Sequence, residues 1–537
     1  MNAESRTPQH SRRSLLRNTA LMSAGLVAAQ GIHSPASAVA AEAECPPPLG
    51  PVTVSPEDNR YQELVRRGHK RFVGSPDYVR VVGSTDQVVT AVQEAVRAGK
   101  RVAARSGGHC LEDFVDNPDV RVVIDLSGMT QVYFDPERNA FAVEAGAILE
   151  EVYRRLFLGW GVTLPAGWCP RVGAGGHVAG GGYGVLSRAH GLVVDYLHAV
   201  EVVVVDQSGQ AKAVVATSDP ADPLHELWWA HTGGGGGNFG IVTRYWFRSP
   251  KATGTDPSSL LPTAPSMVLD FSCQWPWEGM DEQRFAQLAR NHARWCERNS
   301  SPDLPTARFY GELILMRRVA GGHVLLGQSS GPDAEQLLDD YLAEVSEGVG
   351  PAQNVVKQWR PWLTAVYAGP NTSKLYRLKI KSGYLRQGFS DSQLSAIYQQ
   401  LTQAGNDSLV TGSLGLSTYG GAINTVASDA TATATRDAVI KLLYSAAWDD
   451  PANDEENIAW LREFYQRVYA ETGGVPDPAD GAYINYPDND LADPEVNTSG
   501  VPWHTLYYKD NYPRLQRVKS RWDPLNIFHH ALSIEPA

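Results

Sequence analysis

The stretch from Gly167 to Gly184 reads GWCPRVGAGGHVAGGGYG, and a counterpart earlier in the chain, Arg105 to Cys110, reads RSGGHC. Glycine loses more backbone freedom on folding than any other residue. A folded chain therefore concentrates it where φ must be positive or where another group comes very close. Seven glycines between Gly173 and Gly184 leave little side chain and much backbone N–H. Rows of such N–H groups form concavities for anions, which suits a cofactor carrying phosphates. Two reactive side chains, His109 and Cys169, lie inside these runs. A flexible linker pairs Gly with Ser, whereas these glycines are interleaved with Trp168, Val172, Val178, Tyr183, Val185 and Leu186. Neither a G-x-G-x-x-G turn in a strand–turn–helix frame nor a G-x-x-x-x-G-K-[ST] loop fits the stretch.

The pair RSGGH and GWCPRVGAGGHVAGGGYG resembles the flavin-binding signature of the berberine-bridge-enzyme-like oxidases, in the vanillyl-alcohol-oxidase (PCMH-type) FAD superfamily. The likeness covers nearly the whole mature chain. It implies doubly attached FAD, with His109 bonded to the flavin 8α carbon and Cys169 to carbon 6 of the ring. It also implies that Arg105, Ser106, Gly107, Gly108, Cys110, Gly173, Gly175, Gly176, His177, Gly180, Gly181, Gly182, Tyr183 and Gly184 line the cofactor. A third run, HTGGGGGNFGIVT from His231 to Thr243, resembles the family's R-G-G-G-G-N-F-G-I-V-T segment. It adds Gly236, Asn238, Phe239, Gly240, Ile241 and Val242 to the expected cofactor contacts, with His231 standing where the family usually carries Arg. By residue type alone, Cys110 reads as a buried small hydrophobe, and His177, His529 and His530 read as structural.

Length and composition frame this reading. At 537 residues the chain predicts more than one domain. Its 43% hydrophobic and 20% charged residues are ordinary for a soluble protein. A net charge of −12 argues against nucleic acid or an anionic membrane as partner. Fourteen Trp and twenty-two Tyr are many; core packing explains most of them, and the remainder could line a site for planar or sugar ligands. The five cysteines, Cys45, Cys110, Cys169, Cys273 and Cys296, show no C-x-x-C pair, and no His/Asp/Glu set has metal spacing.

At the N-terminus Ser11-Arg12-Arg13-Ser14-Leu15-Leu16 is a twin-arginine pattern, followed by a weakly apolar run from Thr19 to Ala29. Cleavage options follow at Ala36-Ser37-Ala38, Ala38-Val39-Ala40 and Ala41-Glu42-Ala43. This predicts a Tat signal peptide over 1–43 and a secreted, extracellular protein. The apolar run is too short to span a bilayer.

The expected fold class is α+β. A PCMH-type FAD-binding domain of two α/β subdomains occupies 44–250 and is completed by a C-terminal segment, 481–537. A substrate domain, 251–480, carries a mixed or antiparallel sheet covered by helices. Strand Tyr78–Val82, helix Ser84–Ala98 with Ser84 as N-cap, and strand Arg101–Ala104 form a β–α–β frame that feeds RSGGH. Strands are expected at 120–125 and 140–144, a helix at 150–157, and a hairpin at 198–216 closed near Gly209. In the substrate domain 335–345 and 391–403 read as helices, and 313–318, 376–382 and 413–419 as strands.

The chemistry expected is transfer of a hydride from a carbinol carbon to the flavin, so the protein must remove the hydroxyl proton. A tyrosine serves if positive charge lowers its pKa. Tyr483-Ile484-Asn485-Tyr486-Pro487-Asp488 resembles the family's Y-x-N-Y-x-D, and Tyr419-Gly420-Gly421 its Y-G-G. Tyr486 is expected as base, Tyr483 and Tyr419 as neighbouring site residues, and Tyr483 and Asn485 also beside the cofactor. In extended geometry Tyr483 and Asn485 share one face, Tyr486 takes the other, and Thr425 points with Tyr419. The resemblance also implies that Thr425 occupies the place where berberine bridge enzyme carries a catalytic Glu, which favours alcohol oxidation over ring closure. The expected reaction is oxidation of a hydroxyl on a sugar or glycosylated natural product with O2, giving H2O2. The alternatives are an oligosaccharide oxidase making lactones, a dehydrogenase with another acceptor, or a secreted carbohydrate-binding module with no redox role.

Overall fold

The computed structural model describes residues 49–66, 68–369 and 376–537, so the export-signal segment and Cys45 lie outside the described residues. Three sheets organise the chain. The first contains β1 (Val52–Val54), β2 (Tyr78–Val81), β3 (Val102–Arg105) and β4 (Val122–Asp125) in the order β1-β2-β4-β3. Here β4 runs parallel to both β2 and β3, while β1 is antiparallel to β2. The crossover helix Thr85–Arg97 starts at Ser84, whose side chain accepts the Gln87 N–H, and buries Val88, Ala91, Val92 and Ala95. These lie three or four residues apart, one apolar stripe against the sheet. Strand β3 then ends at Arg105 and delivers the RSGGHC turn.

The second sheet holds β5 (Val132–Asp135), β6 (Ala140–Glu144), β7 (Leu197–Val205), β8 (Ala211–Thr217) and β9 (Ile241–Phe247), ordered β5-β6-β9-β7-β8 and antiparallel throughout. Its β7–β8 hairpin closes through Asp206, whose carboxylate accepts the Ser208 and Gln210 N–H groups, and through Gly209 at φ +79°. Between β6 and β7 come helix Leu149–Trp160, ended by Gly161 at φ +70°, and then the glycine stretch, part of which winds into the short helix Ala174–Ala179.

The third sheet has seven strands: β10 (Met267–Pro276), β11 (Phe309–Met316), β12 (Gly322–Ser330), β13 (Gln353–Pro361), β14 (Arg377–Leu385), β15 (Leu409–Thr418) and β16 (Ile440–Trp448). Every pairing in the order β13-β10-β12-β11-β15-β16-β14 is antiparallel, which decides between the mixed and antiparallel expectations. Helices Ala334–Val345, Glu282–Arg298, Asp391–Thr402 and Asp454–Val468 neighbour one another in that order and cover the sheet.

Helices Trp503–Tyr508 and Tyr512–Trp522 bring the C-terminus back onto the third glycine run. Tyr508 donates its hydroxyl to Gly234 O at 2.9 Å, and Lys519 Nζ donates to Asn238 O at 2.8 Å and to Asp523 at 2.6 Å. Among the described residues no helix is long and apolar enough to cross a membrane.

Candidate active site

The two glycine turns, about sixty residues apart in sequence, touch backbone to backbone. A Cβ on Gly107 would lie 2.3 Å from Gly173 N, and one on Gly173 would lie 2.2 Å from Gly107 N and 2.1 Å from Ser106 Oγ. Ser106 links the turns, donating to Ala145 O at 2.5 Å and accepting the Gly175 N–H at 3.3 Å. Gly108 has φ +69°, so the turn passes through the region that side chains avoid. Arg105 is spent on the scaffold, its Nε on Asp125 at 2.6 Å and its Nη1 on Leu64 O. His109 and Cys169, one on each turn, are half-buried. Cys110 is also half-buried rather than buried as expected: the residues 103–111 that carry it are all partly open to solvent.

His177 braces this assembly. Its buried Nε2 accepts the Gly167 N–H at 2.9 Å, and its carbonyl accepts from Asn485 Nδ2 at 2.9 Å. Burial holds its imidazole down to about 4, so the ring stays neutral and keeps its acceptor nitrogen. Asn485 also receives close backbone contact, because a Cβ on Gly180 would lie 2.1 Å from its Oδ1. In the third run, Asn238 is buried and spent on the protein: it donates to Gly234 O at 3.0 Å and accepts the Ile534 N–H at 3.0 Å. His231 caps the preceding helix through Leu227 O at 2.8 Å, and burial lowers it to about 4. Phe239 and Ile241 are in the core, and Gly240 presses onto Val203 O, 2.5 Å from where its Cβ would stand.

A cofactor needs open backbone as well as close-packed backbone. A Cβ on Gly176 would meet nothing within 4 Å, and one on Gly236 only Ala179 Cβ at 3.9 Å. Open glycine backbone, with the half-buried His109 and Cys169 on two turns that touch, fits a bound flavin. Cys169 has its thiol pKa raised by burial, against the pull of the Arg171 and Val172 N–H groups.

Tyrosines gather beside these turns. The Tyr483–Tyr486 segment is a tight turn rather than a strand: the Tyr486 N–H bonds Tyr483 O at 2.8 Å. Both rings therefore come to one place, with centroids 5.2 Å apart, instead of facing opposite ways as extended geometry implies. Tyr483 Oη accepts from Asn485 Nδ2 at 3.0 Å. Tyr419 is fully buried, its ring 5.2 Å from both Tyr183 and Tyr384, and Arg188 clamps its carbonyl. Tyr183 donates its hydroxyl to Thr418 O. Tyr486 is the half-exposed member of the group. Thr425 does not point with Tyr419: Gly420 and Gly421 take φ +79° and +65°, the chain turns into a short 3-10 helix, and Thr425 is exposed with its hydroxyl on Ala422 O.

Lys441 and Glu312, both outside every motif, complete the site. Glu312, Ser417, Lys441 and Tyr384 are directly opposite one another across β11, β15, β16 and β14, so their side chains share one face. Lys441 is 2% exposed, its Nζ donates to Tyr486 Oη at 3.3 Å, and it lies 4.4 Å from that ring's centroid and 5.1 Å from Tyr183's. Burial brings its amine down to about 8, partly opposed by Glu312. Tyr486 itself is raised above the ordinary phenol by burial and then by Glu312, contrary to the lowered value expected for a lone base. Glu312 is half-buried and takes the Tyr310 hydroxyl at 3.3 Å. The sequence signal for both is a single charge inside an apolar strand, Ile440-Lys441-Leu442-Leu443 and Gly311-Glu312-Leu313-Ile314.

Comparison with known proteins places this geometry. The family model for the FAD binding domain matches residues 76–211, and that for berberine and berberine-like proteins matches residues 482–535. Aclacinomycin-N/aclacinomycin-A oxidase of Streptomyces galilaeus is 54% identical over 492 residues, 90% of this chain and 90% of that one. Hexose oxidase of Chondrus crispus is 31% identical over 529 residues, 89% of this chain and 93% of its own. The crystal structure of a glycopeptide hexose oxidase complexed with teicoplanin matches with a TM-score of 0.88 at 51% identity, covering 92% of this chain and 100% of that chain. With a relative more than half identical across nine-tenths of its length, the chain belongs to the berberine-like family of FAD-linked oxidoreductases.

Proposed function

We propose that the protein is a secreted oxidase with doubly attached FAD that converts a sugar hydroxyl of a glycosylated natural product to a carbonyl, with O2 as acceptor. The observation that carries this reading is the contact between Lys441 and Tyr486 beside the two attachment turns. His109 and Cys169 would hold FAD, and the bound flavin would supply the acceptor for the carbinol hydride and the route by which two electrons reach O2 as H2O2. The protein's own part is the proton. Tyr486 Oη accepts it from the substrate hydroxyl while its own proton moves to Lys441 Nζ. The active form is therefore the one in which the Lys441 amine is neutral beside the Tyr486 phenol, ready to take its proton. Because the Lys441 amine lies near 8, that form is reached well below the range of an isolated phenol. Glu312 and Ser417 on the same face offer acceptors for neighbouring sugar hydroxyls, and Tyr419 and Tyr183 hold the wall behind. An aclacinomycin oxidase and a glycopeptide hexose oxidase are among the relatives most like this chain, each over about nine-tenths of it.

The test begins with colour. Protein precipitated with acid should stay yellow, which a carbohydrate-binding module does not. Aclacinomycin A and teicoplanin should give peroxide in air, whereas maltose and chitobiose report the oligosaccharide alternative. Turnover with a dye but not with O2 marks a dehydrogenase. For export, the protein from culture medium should begin after Ala38, Ala40 or Ala43, and Arg12→Lys with Arg13→Lys should keep it inside the cell.

A further inference from the structure

We propose that a buried cluster of charges on β14 is a positioning clamp, holding the His109 turn and the Tyr486 turn at a fixed separation; it rests on the roles assigned to those two residues above. Glu112 lies three residues beyond His109, and Asp488 lies two beyond Tyr486 with only Pro487 between. Lys379 Nζ bonds both, 2.6 Å from Glu112 Oε1 and 2.6 Å from Asp488 Oδ1. Lys381 Nζ bonds the other Asp488 oxygen at 2.6 Å and Asp490 at 2.7 Å. Arg71 closes on Glu112 Oε2 at 2.5 Å, and Arg462 grips both oxygens of Asp490 at 3.0 and 2.7 Å. A second link runs alongside, Asn489 Nδ2 to Asp113 Oδ1 at 3.0 Å. The Lys379, Glu112 and Asp488 side chains are at most 2% exposed.

Charges removed this far from water are costly, and apolar side chains of the same volume stabilise a core at least as well. What the cluster adds is direction. A carboxylate shared by two ammonium groups, one on each oxygen, fixes both distance and orientation, which apolar contact does not. The links to the reactive groups are short and stiff. Pro487 fixes its own φ, so movement of Asp488 is passed to Tyr486 rather than absorbed. The same strand continues the frame: Ser382 Oγ accepts the Tyr483 N–H at 3.1 Å, and the Tyr384 N–H bonds Gly481 O at 3.0 Å. Strand β14 is thus one ruler read by both halves of the site. Lys379, Lys381, Glu112 and Asp488 are positioning residues, since they act through His109 and Tyr486.

A clamp couples its two ends, so a change at one end must be felt at the other. The experiment is hydrogen exchange, followed by mass spectrometry, on the purified flavin-containing protein and its variants. Glu112→Gln should speed exchange in residues 483–490, and Asp488→Asn should speed it in residues 105–114, each by about tenfold, within the range of coupled sites. Asp488→Asn should also lower the fraction of flavin that survives acid precipitation by at least about twofold, although it lies far from His109 in sequence; this places coupling on the attachment itself. Lys379→Arg should restore both to the parent values that Lys379→Met loses. If each substitution loosens only its own segment, with acid-stable flavin unchanged, the clamp is refuted and the cluster merely fills space. Should Lys379→Met not fold, the two amide variants, which keep side-chain size, still decide. A colourless parent after acid treatment would overturn the attachment reading, and the exchange rates would still decide for or against the clamp.

Discussion

Replacing Lys441 by Met separates two accounts of the proton step. On the proton route proposed above, the parent becomes active as the Lys441 amine, which burial brings down to about 8, loses its proton. Without the amine the proton must leave a phenol that burial holds above its ordinary value of about 10. The difference is at least 10 minus 8, or two pH units. Near pH 7 the active form therefore falls about 100-fold or more, about 3 kcal/mol at 1.36 kcal/mol per unit. The assay is anaerobic flavin reduction by stopped flow between about pH 6 and 10, using whichever glycoside reduces the parent. The parent rate should rise through about 8, while the Met variant should still be rising at the alkaline limit. Stability moves the other way. Unfolded, Lys441 titrates near 10.5; folded, near 8. Between those values the unfolded chain binds more protons, so stability rises with pH across that window, and below 8 the full cost is present. That cost is about 3 kcal/mol for this almost wholly buried group. Losing the hydrogen bond to Tyr486 offsets about 1 kcal/mol. The Met variant should be about 2 kcal/mol more stable near pH 7 and should lack the alkaline slope. A variant with the parent's inflection and melting temperature would show that Lys441 takes no part.

Tyr486→Phe should slow anaerobic reduction by about 10²–10⁴, the usual worth of a general base, with glycoside affinity little changed; an unchanged rate would move the base elsewhere. Cys169→Ala and His109→Ala should each stay yellow after acid with an altered flavin spectrum, whereas the double variant should release its flavin; two singles matching the parent would discard these attachment points. Glu312→Gln should raise the half-saturating glycoside concentration about tenfold, the worth of one hydrogen bond to a charged acceptor. It should also shift the reduction profile to lower pH, since Glu312 holds the Lys441 amine up; steady-state kinetics across pH reports both, and no change in either would remove Glu312 from the site. Gly173→Ala puts a methyl 2.1 Å from Ser106 Oγ and 2.2 Å from Gly107 N. It should cost about 3 kcal/mol and reduce flavin content, read from the melting curve and the flavin-to-protein absorbance ratio.

Much of the scaffold is legible in the sequence because local chemistry and packing agree. Ser84 announces the helix of the β–α–β frame, and Gly209 with Asp206 announces the hairpin. Strand direction in the large sheet is not legible, because a strand covered by helices shows the same apolar run in mixed and antiparallel company. Positions beyond a turn differ from expectation for a single reason. Period-two reasoning carries a side chain along a straight strand, yet Gly420 and Gly421 bend the chain away from Thr425, and the Tyr483–Tyr486 turn folds two faces into one. Lys441 and Glu312 escape motif reading, which looks for residue sets, because each is a single charge whose partners come from other strands.

The glycines fall into two groups in the structure. Their density implies close approach by another molecule, but the runs serve two distinct approaches. At Gly107 and Gly173 the approaching group is the chain itself, since a Cβ on either would strike the other's backbone. At Gly176 and Gly236 the Cβ direction is open, and there the absence of a side chain leaves room for a ligand. An alanine at Gly176 should therefore leave the stability of flavin-free protein within about 0.5 kcal/mol, apart from helix propensity, which favours alanine. The same alanine should weaken flavin retention, whereas Gly173→Ala should lower stability with or without flavin. If both substitutions destabilised the flavin-free protein equally, the division between packing glycines and cradle glycines would fail, and with it the assignment of the cradle.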